Sequence, residues 1–154
     1  MAVITVLLYL LICINNAIKS ITLKTGMTMT FKLSKADGKL DPELFNTIAL
    51  AQARTVASGG DRVNKATQLR KFYDELVLWD NKVLQQPEKF DEFLPFIRML
   101  NAKAAYAQGR KLVDRNFVDL LNDGLKQVET AETLHTFKLF MEAFMGFYKQ
   151  ERPN

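Results

Sequence analysis

Thr67-Gln68-Leu69-Arg70-Lys71-Phe72-Tyr73-Asp74-Glu75-Leu76 carries apolar side chains at three- and four-residue steps, Leu69, Phe72, Tyr73 and Leu76, and the series continues to Val83. Arg70, Lys71, Asp74, Glu75 and Lys82 fall on the opposite side. This is the spacing of an amphipathic helix with one buried face, and Thr67 is a residue type that can cap its start. Asp80 projects into the apolar arc, so the helix is expected to bend or to end near Trp79. Leu78 projects from the polar side and reads as surface exposure or a partner contact.

Upstream, Asp41-Pro42-Glu43 is a helix start: Asp41 can cap, Pro42 suits the first helical position and Glu43 favours the positive end of the dipole. Leu44, Phe45, Ile48, Ala49 and Val56 form one stripe until Ser58-Gly59-Gly60 ends the helix and opens a polar connection through Asn64. Downstream, Pro87 interrupts the chain and Pro95 suits the first turn of a third helix running to about Lys111. Phe117, Leu121, Leu125 and Val128 make a narrow stripe on a fourth helix, opposite Asn116, Asp119 and Asp123. Thr130 can cap a fifth, whose wide buried face is Leu134, Phe137, Phe140, Met141, Phe144 and Tyr148, up to Pro153. No strand alternation appears. The expectation is all-α: a compact bundle of about five helices over residues 41–154, with 1–40 as an N-terminal extension and Met27 to Leu40 as an irregular arm.

At 154 residues, 48% hydrophobic and 25% charged, the chain fits one globular domain. One cysteine, Cys13, excludes a disulfide framework or a Cys-rich zinc site, and one histidine, His135, leaves too few ligands for most His-based metal or triad chemistry. The formal charge is +4, of which Lys19 and Lys24 supply two, so any argument for a nucleic-acid partner has to be local. Met1 to Ile14 is apolar except for Thr5, shorter than the roughly 20 residues a spanning helix needs. Three readings stay open for residues 1–26: a non-native extension from a start upstream of Met27 or Met29, a hydrophobic segment packing on the body or a partner, and a targeting sequence.

Carboxylate pairs are few. Asp74 follows Arg70 by four residues and Glu75 follows Lys71 by four, so helix-surface ion pairs account for both more simply than acid–base catalysis. Asp119 and Asp123 share a solvated helix face where a divalent cation would lack most of its oxygen ligands. His135 falls on the polar side of the last helix and reads as solvated. Gly109 stands in a lone GRK without the further glycines of a phosphate-binding loop. No catalytic residue, metal site or cofactor is expected.

The third helix differs. At 100° per residue, Phe96, Ile97, Leu100, Ala104 and Ala107 share a core face, while Ala102, Ala105 and Gly109 form a low, flat side. Arg98 edges that side on one flank, Lys103 and Arg110 on the other, and between Pro95 and Arg115 five basic residues face one acid, Asp114. A shaved face edged with cations lets a phosphate backbone approach closely. The same small residues would also let another helix pack closely, and both readings stand on periodicity alone.

Together, TQLRKFYDEL at 67–76 and LPFIRMLNAKAAYAQGRK at 94–111 resemble the two signature helices of the Csm small-subunit family of type III-A CRISPR effector complexes, a resemblance running from about Asp41 to Lys149. It implies a helical, non-catalytic subunit of a cytoplasmic ribonucleoprotein in antiviral defence. Several copies would stack beside backbone subunits and the large subunit, contacting the guide RNA and target RNA. Carried over by position, the RNA-binding candidates are Arg70, Lys71, Arg98, Lys103, Arg110 and Lys111. Tyr73 reads as core and Tyr106 as a rim residue. The apolar N-terminal run departs from the family pattern. Competing readings are the type III-B small subunit and a membrane-attached or cytoplasmic protein-interaction adaptor.

Deleting residues 1–26 is expected to preserve the helical circular dichroism and the cooperative unfolding transition, since every capped amphipathic helix lies beyond Met27. Loss of either signal would make the segment part of the core.

Overall fold

In the computed structural model, residues 30–34 and 37–153 are described; the apolar run, Cys13 and the alternatives for residues 1–26 lie outside them. A π-helical turn, Leu44–Ile48, leads into α1, Ala49–Ala57. Then follow α2 (Ala66–Gln85), a 3-10 turn at Pro87–Lys89, α3 (Phe90–Arg98), α4 (Leu100–Gly109), α5 (Arg115–Lys126) and α6 (Ala131–Glu151). Only Met99 separates α3 from α4, so the described residues build five rods, the third of them interrupted. No described residue is in a strand.

The centre is α6. Thr130 and Thr133 form a reciprocal capping box at its start, and Leu134, Phe137, Phe140, Met141, Phe144 and Tyr148 are all buried against α1 and α2. α5 crosses α6 closely at Gly124, where a Cβ would stand 2.0 Å from the Phe137 ring, so any larger residue would force the helices apart. The buried face of α5 is wider than its expected stripe, because Val118 and Leu120 join Phe117, Leu121 and Leu125. Its cap is Asp114, whose carboxylate accepts the Phe117 N–H at 3.0 Å.

Several local expectations are corrected. The first helix begins at Leu44 and not at Pro42; the Asp41 carboxylate accepts the Glu43 N–H at 2.9 Å in a turn just before it. Thr67 lies inside the first turn of α2, whose N-cap is Lys65. Pro95 lies within α3 and not at its start, which Pro87 and the 3-10 turn set earlier; without an N–H it removes one helical bond, and the regular helix is interrupted at Met99. Phe96, expected on the core face, is instead 53% exposed at its edge, stacked on Trp79 with ring centroids 5.9 Å apart. Ile97, Leu100, Ala104 and Ala107 do face the core, and Leu78 is half exposed on the surface.

α2 does not end at Trp79. It runs to Gln85 with Asp80 buried, because the Asp80 carboxylate meets His135 Nδ1 at 2.9 Å and stands 4.0 Å from Lys138 Nζ. His135 is therefore not a purely solvated residue. A buried carboxylate is tolerated only when donors or cations compensate its lost hydration, and both come here from α6.

The arm joins the same core. Phe31 stacks on Phe140 with centroids 4.2 Å apart, and Leu33 is buried. Between them the Gln127 side chain accepts the Leu33 N–H and donates to the Phe31 carbonyl, each at 2.9 Å, so one amide pairs with an extended backbone as a neighbouring strand would. Phe31→Ala should lower stability by about 3–5 kcal/mol and Leu100→Ala by about 2–5 kcal/mol, both read from denaturant unfolding. A near-neutral Phe31→Ala would show that the arm contributes nothing to the folded core.

Candidate nucleic-acid interface

Two contacts fix how α2 and α4 lie together. Lys103 Nζ donates to Glu75 Oε1 at 2.6 Å, and near the start of α2 the Asn64 N–H donates to the Leu112 carbonyl at 2.9 Å. Moving backward along α2 therefore moves forward along α4, and the two helices are antiparallel. Glu75 was expected to pair with Lys71 on its own helix; it pairs instead across to α4. Lys71, one turn before Glu75 on the same side of α2, is exposed and makes no ion pair among the described residues.

Arg110 follows Lys103 by seven residues, or two turns, on the same side of the α4 rod, with Lys111 next to it in the turn at φ 58°. Tyr106 stands between Lys103 and Arg110. It is 67% exposed, with the Arg110 guanidinium 5.7 Å from its ring centroid. Four of the six candidates, Lys71, Lys103, Arg110 and Lys111, thus border one α2–α4 face. Beside them Ala102, Ala105 and Gly109 are exposed, and a Cβ at Gly109 would meet nothing within 4 Å. Among the described residues no helix of the chain itself covers this low face.

Arg70 and Arg98 stand apart from that row. Arg70 Nε donates to Asp74 Oδ1 at 2.7 Å, as the four-residue spacing predicts, and its guanidinium lies 5.2 Å from the half-buried Tyr73 ring on the α6 side of α2. Arg98 Nη2 donates to the Val128 carbonyl at 3.3 Å, tying the end of α3 to the α5–α6 turn. Its position at the edge of a helix face gave no sign of this, because the acceptor lies thirty residues away in the chain.

The carboxylates are engaged in local ion pairs: Asp119 accepts from Arg115 at 3.3 Å, and Asp123 stands 3.9 Å from Lys126. Among the described residues no group of three or more His, Cys, Asp or Glu side chains is placed to hold a metal ion, and no helix is long and apolar enough to cross a membrane. The protein is an all-helical body whose most distinctive surface is a flat, cation-edged helix face. The chain belongs to the Csm2 Type III-A family, whose model matches residues 39–154, and so to the small subunits of type III-A CRISPR effector complexes. No curated protein and no solved structure shows significant similarity to it.

Arg98→Ala should lower stability by about 1 kcal/mol, since a carbonyl in the α5–α6 turn loses its donor. Lys103→Ala should change it by less, within about 0.5 kcal/mol, because an exposed pair offsets little of its own entropy. Equal losses in chemical denaturation would make Lys103 a structural clamp between α2 and α4.

Proposed function

We propose that the chain is a non-catalytic subunit that stacks in several copies within the cytoplasmic type III-A ribonucleoprotein and holds the guide–target RNA through its phosphate backbone. The observation that carries this reading is the α2–α4 face, where Lys71, Arg110 and Lys111 are free of ion pairs beside a helix shaved to Ala102, Ala105 and Gly109. A surface of this kind favours close approach of a polyanion and offers no row of groups able to read base edges. Lys103 adds charge there that Glu75 partly neutralises. Arg70 contributes from the next groove, and Arg98 acts chiefly on the fold. Backbone subunits, the large subunit and neighbouring copies are the protein partners of this reading.

Changing Lys71 and Arg110 together to Ala should weaken retention of target RNA by the assembled complex and reduce the slope of log affinity against log salt by about 1.5, given roughly 0.7–0.9 per phosphate contact. The melting temperature of the subunit should stay close to that of the wild type. Equal-length RNAs of different sequence should bind alike. Wild-type retention by the double variant across a salt series would remove these residues from the interface, and a steep sequence preference would overturn the backbone-directed reading.

A further inference from the structure

A second concave surface lies on the other side of α2. Tyr73 is close enough to Glu142 to feel its charge, and Asp80 contacts His135 and Lys138, so α2 and α6 are antiparallel. Between the first half of α2 and the second half of α6 they leave a cleft of about 560 Å³, within the range of small-molecule sites. Arg70 and Tyr73 line it from α2, and Glu142, Met145, Gly146 and Lys149 from α6. None of the α6 residues belongs to the cationic face described above.

The groups are ordered along the cleft. Glu142 and Lys149 are seven residues apart on α6, about 10.5 Å along the axis at 1.5 Å per residue. Lys149 forms no ion pair among the described residues, and Arg70 is held in place by Asp74 and laid against the Tyr73 ring. At the opposite end stands the Glu142 carboxylate, whose one ion pair, to Lys138, is long at 3.6 Å. Burial first, and then the Glu142 charge, push the Tyr73 phenol above its ordinary value and keep its hydroxyl a donor. Met145 and the bare backbone at Gly146 give an apolar, open floor between the two ends.

We infer that this cleft receives one unpaired nucleotide of single-stranded RNA, with its phosphate toward Lys149 and Arg70 and its base over Met145 and Gly146, toward Tyr73 and Glu142. A bare polyanion would be repelled by Glu142. A nucleotide supplies an anion at one end and amino or imino donors at the other, so both ends of the cleft find a partner. The Tyr73 ring, steadied by Arg70, offers an aromatic contact that any base can use. A duplex keeps its bases inside and cannot fill the cleft. The inference rests on the RNA-binding reading but concerns a different surface and a different state of the RNA.

The test uses the full chain, fluorescently labelled hexaadenylate RNA and a short RNA duplex, compared by anisotropy at low salt. Gly146→Trp fills the cleft from a position where a Cβ meets nothing within 4 Å, and replacing a helical glycine should leave the melting temperature unchanged or higher. Lys149→Ala, at an exposed position, tests the same cleft without added bulk. Each variant should weaken hexaadenylate binding by about tenfold, the effect of losing one stacked base, and leave duplex binding unchanged. Wild-type hexaadenylate binding by Gly146→Trp overturns the inference, as does equal weakening of both RNAs. A wild-type chain that binds the duplex alone overturns the cleft and leaves the phosphate-directed reading standing. A chain that binds neither RNA overturns both.

Discussion

Asn64 is the point on which the geometry of the molecule turns. It is fully buried in the left-handed conformation, φ 56°, which asparagine tolerates better than most residues. Every polar group it has is used. Its side-chain amide donates to the Val56 carbonyl at 3.0 Å and accepts the Asp114 N–H at 2.9 Å, while its backbone donates to Leu112 and accepts from the Tyr148 hydroxyl. Four segments, the ends of α1 and α6, the α4–α5 turn and the approach to α2, are thereby held at one residue. Gly59 packs into the same knot, where a Cβ would stand 2.1 Å from the Asp114 carboxylate. Burial, which raises the Tyr148 phenol above its ordinary value, keeps the hydroxyl protonated and able to donate.

The consequence reaches the surface. The Asn64–Leu112 bond sets where α4 ends against the start of α2, and the Glu75–Lys103 pair extends that alignment along both helices. Lys71 and Arg110 come to border one face through this register and not through any attraction between them. At the other end of α2 the buried Asp80 plays the corresponding part toward α6. An uncompensated carboxylate there would cost several kcal/mol, so sliding α2 along α6 by one turn, away from His135 and Lys138, is strongly disfavoured. Polar contacts at both ends fix a register that the apolar stripes alone, repeating every turn, leave degenerate.

Helix content and core faces were legible because they are periodic. The α6 stripe, the Thr130 cap, the glycine stop after α1 and the exposed small face of α4 all follow from spacing within one segment. What could not be read lies between segments. Asp80 was visible as a break in a pattern, and the correct conclusion, that it has a buried partner, required knowing which face of α6 stood opposite. The same holds for Glu75, whose nearer partner in sequence, Lys71, loses to one from another helix, and for Arg98, whose acceptor is a carbonyl. Phe96 was misplaced because the projection assumed one regular helix from Pro95, whereas Pro95 sits inside α3, the helix is interrupted at Met99, and Phe96 lies at the edge of the arc, where Trp79 takes it. The Lys149 end of the α2–α6 cleft carries no local signal, because nothing in the spacing of α6 distinguishes Lys149 from Lys138, which the fold uses against Asp80.

The basic residues therefore divide by what holds them. Arg98, Arg152 and Lys138 face carbonyls or carboxylates of the fold, Arg152 bridging the Val63 carbonyl and Asp61, and their charge is spent on the interior. Lys71, Arg110, Lys111 and Lys149 have no such partner among the described residues; Lys71 and Lys149 stand on the outer sides of α2 and α6, and Arg110 and Lys111 in the turn that closes α4, all on elements fixed by buried contacts. A cation that is exposed yet rigidly based loses little backbone freedom when it meets a phosphate, while its own side chain remains mobile enough to follow an irregular strand. On the proposed function, that combination suits a polyanion of any sequence, because the position of the charge is preserved and a phosphate contact does not depend on the base.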